Sequence, residues 1–123
     1  MTYTNFATMI EYDEAEEEGE EIDNDIIWSF CDEDEEGEPM VGGVHRRIEL
    51  EDWDIDGKKR HTLCGVVETY CGEDEWDVND REDFFEQTPE QIAEWVDEEH
   101  RAEVLAAVHK LFAEMEGTSK MAA

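Results

Sequence analysis

The fold of this chain is decided by residues 48–67, IELEDWDIDGKKRHTLCGVV. The pair Asp56-Gly57 in the middle is a strong signal for a two-residue β-turn, because such a turn needs positive φ angles that glycine and aspartate adopt readily. On either side the residues have strand character, since residues 48–50 alternate between apolar and polar and residues 63–67 are mostly apolar. The stretch therefore predicts an antiparallel hairpin.

A turn at this position also predicts the register of the hairpin. The predicted pairs are Leu50 with Leu63, Ile48 with Gly65 and, on the opposite face, Trp53 with Arg60. The apolar run at residues 26–31 is predicted to form a preceding strand, joined to the hairpin through a loop over residues 32–39. We therefore expect a three-stranded antiparallel β-meander.

The C-terminal third is predicted to be helical and to pack against this meander, which makes the fold α+β. Thr88-Pro89-Glu90-Gln91 is a capping box with proline at the first helical position. Because residues 97–103 lack large apolar side chains, we predict two helices that meet near Asp97. Gly117 is predicted to end the second helix. The apolar faces of these helices consist of Ile92, Trp95, Val96, Val104, Leu105, Val108, Leu111, Phe112 and Met115.

The N-terminal stretch has two interpretations. The spacing of Phe6, Met9 and Ile10 suits a helix that begins after Asn5, whereas the aromatic residues within positions 3–12 suit an irregular edge segment.

The length of 123 residues suits one domain with one hydrophobic core. We place this domain at residues 1–117, with residues 11–25 as a flexible acidic segment. Residues 118–123 are predicted to be a disordered tail.

The charge of the chain is extreme. Its 38 Asp and Glu residues against 9 Lys and Arg give a net charge of −29. High net charge with little apolar surface keeps chains unfolded, but 39% hydrophobic residues, with four Trp, five Phe and three Tyr, are enough for a core. The acids are concentrated in residues 11–38 and 73–99, on either side of the more basic middle.

The cysteines and the apolar runs bear on localisation. Cys31, Cys64 and Cys71 are an odd set, and no N-terminal stretch resembles a secretion signal. No apolar run approaches the roughly 20 residues that cross a bilayer, and anionic membranes would repel the chain. We expect a cytoplasmic protein with reduced thiols and no membrane partner.

One local motif resembles a metal site. Residues 52–57 match the first six positions of a calcium-binding loop, with oxygen ligands from Asp52, Asp54 and Asp56. Position twelve, which should be a bidentate glutamate, is Leu63. The favoured interpretation is an acidic hairpin turn, and a calcium site is the alternative.

Zinc binding and catalysis find less support. Cys31, Cys64, Cys71, His45 and His61 could supply zinc ligands, but they form no Cys-x-x-Cys pair. No nucleophile stands beside a base, and no glycine-rich phosphate loop is present. We predict no cofactor and no enzymatic activity.

The acidic residues are spaced so that a folded chain would present them in rows. Alternate residues on a strand, such as Glu49 and Glu51, lie about 6.5–7 Å apart, and i, i+4 neighbours on a helix about 6 Å apart. We predict one row along a strand and a second along a helix from Glu86 to Glu98. The predicted contact residues are Asp32, Glu33, Asp34, Glu35, Glu36, Glu73, Asp74, Glu75, Asp77, Glu86, Glu90, Glu94, Glu98 and Glu99.

The acid blocks at residues 16–18 and 32–36, the small size and the mixed aromatic core resemble the small DNA-mimic inhibitors of phages and mobile elements, of the anti-restriction and anti-CRISPR type. The resemblance implies a protein that binds the cationic nucleic-acid-binding surface of a host defence protein, or of another DNA- or RNA-binding protein, and occludes it. It implies action in the host cytoplasm without direct nucleic-acid binding. Such proteins share no single fold, so the resemblance does not predict the arrangement of strands and helices.

Three other functions remain open. The chain could be a chaperone or adaptor for a basic protein, with residues 14–21 as a flexible clamp. It could be an ordinary domain from a salt-adapted organism, in which acidic surfaces are general. A calcium-binding module comes last.

Overall fold

In the part of the chain that the structure describes, four antiparallel strands form one sheet, in which each strand pairs with the next along the chain. The structure, a computed structural model, describes residues 9–122 and the side chains of residues 9–115. The strands are Glu20–Cys31 (β1), Val44–Ile55 (β2), Lys58–Gly72 (β3) and Glu75–Asp83 (β4). The predicted antiparallel meander is therefore confirmed, but it has four strands where three were predicted.

The central hairpin of β2 and β3 has the predicted register. Leu50 pairs with Leu63 and Ile48 with Gly65, while Trp53 pairs with Arg60. The turn residues Asp56 and Gly57 have φ angles of 53° and 81°. The Gly57 N–H donates a hydrogen bond to Oδ1 of Asp54 at 2.9 Å, which closes the turn.

Both outer strands differ from the prediction. β1 begins at Glu20, six residues before the predicted start at Ile26, and β4 was not predicted at all. These segments are rich in Asp and Glu, which have low strand propensity. Backbone pairing with β2 and β3 imposes the strand conformation on them.

The helical part agrees with the sequence at its start and differs at its end. Helix α2 (Pro89–Ala93) carries the predicted capping box, because Gln91 N–H donates to Thr88 Oγ1 and Thr88 N–H donates to Gln91 Oε1. The chain is extended at Asp97 and continues as a 3₁₀ turn (Glu98–His100) and helix α3 (Arg101–Ala122). The predicted break near Asp97 is thus confirmed.

Gly117 does not end α3, contrary to the prediction. The helix continues to Ala122, so the segment predicted to be a disordered tail is helical as far as that residue. A glycine inside a helix costs only about 1 kcal/mol relative to alanine, and it stops a helix only where it takes up a left-handed cap.

The N-terminal segment is ordered where the structure describes it. Helix α1 (Tyr12–Glu18) leads directly into β1, so residues 12–18 are helical and residues 20–25 belong to a strand within the segment predicted to be flexible. Met9 is not helical, because it forms a bridge to His61. The remainder of the helix or edge segment predicted to begin near Asn5 lies outside the described residues.

The core lies between the sheet and the C-terminal helices. None of the described helices is long and apolar enough to cross a membrane. Gly65 of β3 lies against the rings of Trp95 and Phe84, and these two rings meet edge to face at 5.6 Å. The buried apolar cluster comprises Met9, Ile48, Leu50, Leu63, Phe84, Ile92, Ala93, Val96, Val104, Val108, Leu111 and Phe112.

Replacing Gly65 with alanine should destabilise the fold. The added Cβ would lie 2.7 Å from a Trp95 ring atom and 2.8 Å from Phe84, closer than packed atoms tolerate. We expect G65A to lower the free energy of unfolding by about 2–3 kcal/mol, measured by urea denaturation. In a W95L background the loss should be smaller, because one of the two rings that clash is gone while Phe84 remains. An equal loss in both backgrounds would contradict this packing.

Candidate partner-binding surface

Two arginines of the sheet pair with the acids that the sheet buries. Of the acidic side chains described, only Glu49 and Glu51 are buried. Arg47 donates to Glu49 through Nε and to Glu68 through a terminal nitrogen, and Arg81 donates to Glu51 at 3.1 Å. The predicted strand row that included Glu49 and Glu51 is therefore wrong, because these carboxylates face arginines and not solvent.

Burial of the ionised Glu51 carboxylate costs free energy. Its pKa is raised from 4.5 to about 7, chiefly because burial disfavours the charged form. Arg81 opposes this shift, and the negative charges of Glu21 and Glu49 add to it.

The exposed acids are held on ordered backbone. In the loop between β1 and β2, Asp34 fixes the backbone. Its Oδ1 accepts hydrogen bonds from Glu36 N–H at 2.9 Å and Glu38 N–H at 3.0 Å. Asp32 Oδ2 accepts from Val44 N–H at 3.0 Å at the start of β2. The predicted contact residues in positions 32–36 thus lie on a structured loop, and Glu33–Glu36 are exposed.

The second predicted group lies beside this loop. Glu73 and Asp74 form the turn between β3 and β4, with φ angles of 54° and 62°, and Glu75 and Asp77 are on β4. Two backbone hydrogen bonds join this hairpin to the β1–β2 loop: Gly42 N–H donates to Tyr70 O at 2.8 Å, and Tyr70 N–H donates to Gly43 O at 3.0 Å.

Residues 32–38 and 73–77 therefore lie at the same end of the sheet, and we call this surface the acidic end. The β2–β3 turn and the end of α1 lie at the opposite end, since Gly19 after α1 packs on Ile55. Alternate carboxylates along the strand backbone, such as Glu75 and Asp77, are about 6.5–7 Å apart. Exposed carboxylates also follow the rest of both edge strands: Glu20, Glu21, Asp23 and Asp25 on β1, and Asp80 and Glu82 on β4.

The third predicted group does not form the expected ridge. Glu86 precedes α2 in a turn with a φ of 62°, and Glu94 caps a helix of only five residues. Glu98 and Glu99 follow the extended Asp97 in the 3₁₀ turn. The predicted helical row from Glu86 through Glu90, Glu94 and Glu98 is wrong, because no single helix contains these residues.

The side chains of the calcium-like motif have other partners. Asp52 pairs with His61 at 3.2 Å and Lys59 at 3.6 Å, and Asp54 accepts the turn hydrogen bond from Gly57. Within residues 9–115, no group of three or more His, Cys, Asp or Glu side chains is placed to hold a metal ion. The motif forms the hairpin turn, which was the favoured interpretation.

The cysteines do not form a disulfide in the structure. Cys64 is buried, Cys31 is half-buried and Cys71 is exposed. Burial raises the pKa of Cys64 to about 12, which keeps this thiol protonated at neutral pH.

A cavity of about 170 Å³ next to the acidic end was not predicted. It lies between strands β1 and β2 on one side and the segment that joins α2 to α3 on the other. Its lining includes three rings, two carboxylates and an arginine, and comprises Trp28, Phe30, Asp32, Val44, Arg46, Val96, Asp97 and His100. Residues from three separate segments form it, so no local sequence pattern marks it.

Comparison of the chain with protein-family models, with curated proteins and with solved structures gives no match. The function must therefore be inferred from the surface itself.

The raised pKa of Glu51 predicts a specific pH dependence of stability. The folded state holds the Glu51 proton more tightly than the unfolded chain, so wild-type stability falls as the pH rises from 4.5 to 7, and the penalty is fully present above pH 7. The E51Q variant cannot ionise there. Its stability relative to wild type should rise by on the order of 2 kcal/mol between pH 5 and pH 8.

Urea denaturation at pH 5, 6, 7 and 8 measures this difference. The matched control is E82Q, which removes an exposed carboxylate from β4. Its difference from wild type should change little over the same range. A pH-independent difference for E51Q would contradict the assignment.

Proposed function

We propose that this protein binds the cationic nucleic-acid-binding surface of another protein and inhibits it by occluding nucleic acid. The proposal rests on the acidic end, where the β1–β2 loop and the β3–β4 turn present exposed carboxylates at the same end of the sheet on hydrogen-bonded backbone. Proteins that hold nucleic acids do so largely with Lys and Arg directed at regularly spaced phosphates. Fixed carboxylates at comparable spacing can occupy such a cleft.

The distribution of cations supports the same proposal. Arg47 and Arg81 are directed at inner carboxylates of the sheet. Their charges therefore do little to reduce the negative field of the outer surface. A field of this strength would speed encounter with a cationic partner, and salt would weaken it.

The alternative function as a chaperone needs a mobile clamp at residues 14–21, and the docking of α1 argues against one. Tyr12 N–H donates to Asp83 Oδ2 at 2.9 Å, and its ring meets Trp53 edge to face at 5.9 Å. Ala15 is fully buried. The halophile alternative stays a prediction, which unfolding in low salt would test.

The experiment is affinity capture from lysate of the source organism at low salt, with elution by rising salt. We expect the captured partner to be a DNA- or RNA-binding protein that releases its nucleic acid when the purified protein is added. A partner that keeps its nucleic acid while bound would contradict the proposal.

Two matched variants locate the contact. E33Q/E35Q/E73Q/E75Q removes four charges from the acidic end, and D13N/E14Q/E16Q/E17Q removes four from α1, so both change the net charge from −29 to −29 + 4 = −25. We expect the first to weaken nucleic-acid release by more than tenfold and the second by much less. Equal losses would show that charge alone matters, and not its position.

A further inference from the structure

The cavity beside the acidic end is the size of one amino-acid side chain. Its volume of about 170 Å³ is well below the roughly 300–1,000 Å³ of sites for drug-sized ligands and cofactors. The cavity therefore suits an anchoring group from a partner's surface better than a separate small molecule.

Aromatic rings form one wall of the cavity. The rings of Phe30 and His100 lie 4.3 Å apart between centroids, and Trp28 lies 5.7 Å from His100. The indole N–H of Trp28 donates to Glu103 at 3.3 Å, which orients the ring. Phe30 is 39% exposed and so offers part of its ring to an incoming group. The faces of the Trp28 and Phe30 rings attract cations, and arginine more often than lysine.

Two carboxylates border the same cavity. Asp32 uses one oxygen to hold Val44 N–H, and a carboxylate has capacity for further donors. Asp97 is 71% exposed and pairs with Arg46 at 3.7 Å. Exposed pairs of this kind contribute little free energy, so Asp97 can exchange Arg46 for another cation at small cost.

The surroundings favour a positively charged occupant. Glu33 lies on the loop beside Asp32, and Glu98 and Glu99 lie beside Asp97. A shallow depression adjoins the cavity through Phe30 and Asp32, and its lining includes the exposed side chains of Met40 and Val41. An apolar centre within a charged rim is the anatomy of a binding hot spot.

Resting on the proposed function, we propose that this cavity receives an arginine side chain of the cationic partner. The guanidinium plane stacks on Phe30, while its N–H groups donate to Asp97 and to the second oxygen of Asp32. A guanidinium can both stack on a ring and donate hydrogen bonds to two carboxylates, because it is planar, always charged and presents several donors in a fixed fork. An ammonium is a compact, strongly hydrated charge. Anionic occupants are opposed by both carboxylates.

The test uses two probes of equal charge, fluorescent octa-arginine and octa-lysine, with binding measured by anisotropy at low salt. Electrostatic attraction alone gives the two peptides similar affinities, apart from the stronger bidentate pairing of any guanidinium with a carboxylate. We expect wild type to bind octa-arginine more tightly than octa-lysine. F30A and D97N should each weaken binding of octa-arginine about fivefold, which corresponds to the loss of one contact of this type. The affinity for octa-lysine should be nearly unchanged.

Each variant has a matched control outside the cavity. I22A truncates another exposed apolar side chain of β1 without changing the charge, and E82Q removes one exposed carboxylate from β4. Both controls should keep the arginine preference of wild type. Circular dichroism verifies that F30A is folded, and the exposed D97N decides the question if F30A is not.

The outcomes separate this inference from the proposed function. If wild type binds both peptides equally, or keeps its arginine preference in F30A and D97N, the cavity is not an arginine site, although the electrostatic function stands. If wild type binds neither peptide at low salt, the proposed function fails as well.

Discussion

Antiparallel pairing of β2 with β3 across the Asp56-Gly57 turn is the constraint on which the other elements depend. This register turns Ile48, Leu50 and Leu63 toward the C-terminal helices, where they form the core. On the opposite face it places Glu49 and Glu51 within reach of Arg47 and Arg81. A slip by one residue would exchange the two faces, burying charge among the helices and exposing the apolar side chains to water. β4 and the acidic first half of β1 then form by pairing with this hairpin, although their own residues have little preference for strand conformation.

Repulsion among the carboxylates explains the arrangement of charge. A net charge of −29 opposes any compact state, so the fold stays stable only if the acids remain solvated and the buried ones have cationic partners. The structure meets both conditions, since Glu49 and Glu51 face arginines while the outer strands carry the exposed acids. Charged edges also prevent sheets of different molecules from pairing edge to edge.

The features that could be predicted from the sequence are those that residues close together in the chain determine. The Asp-Gly turn and the alternation around it specify the β2–β3 register, and the capping box marks the start of α2. β4 could not be found this way, because only Trp76 and Val78 interrupt its polar residues and its conformation comes from pairing with β3. The helical row of acids failed because helical spacing was assumed across Glu86 and Asp97, where the backbone is left-handed and extended. The meeting of two acid groups at one end, and the cavity of Phe30, Asp97 and His100, depend on contacts between distant segments that no local pattern encodes.

The central claim is that the fold, and not charge alone, makes the carboxylates effective against a phosphate-binding surface. The most direct test compares the native chain with a scrambled chain of identical composition and charge, verified as unfolded by circular dichroism. Both are titrated into the captured partner bound to labelled nucleic acid, and release is followed by anisotropy. The account predicts that the native chain releases the nucleic acid at a concentration at least tenfold lower. Equal potency of the two chains would contradict it.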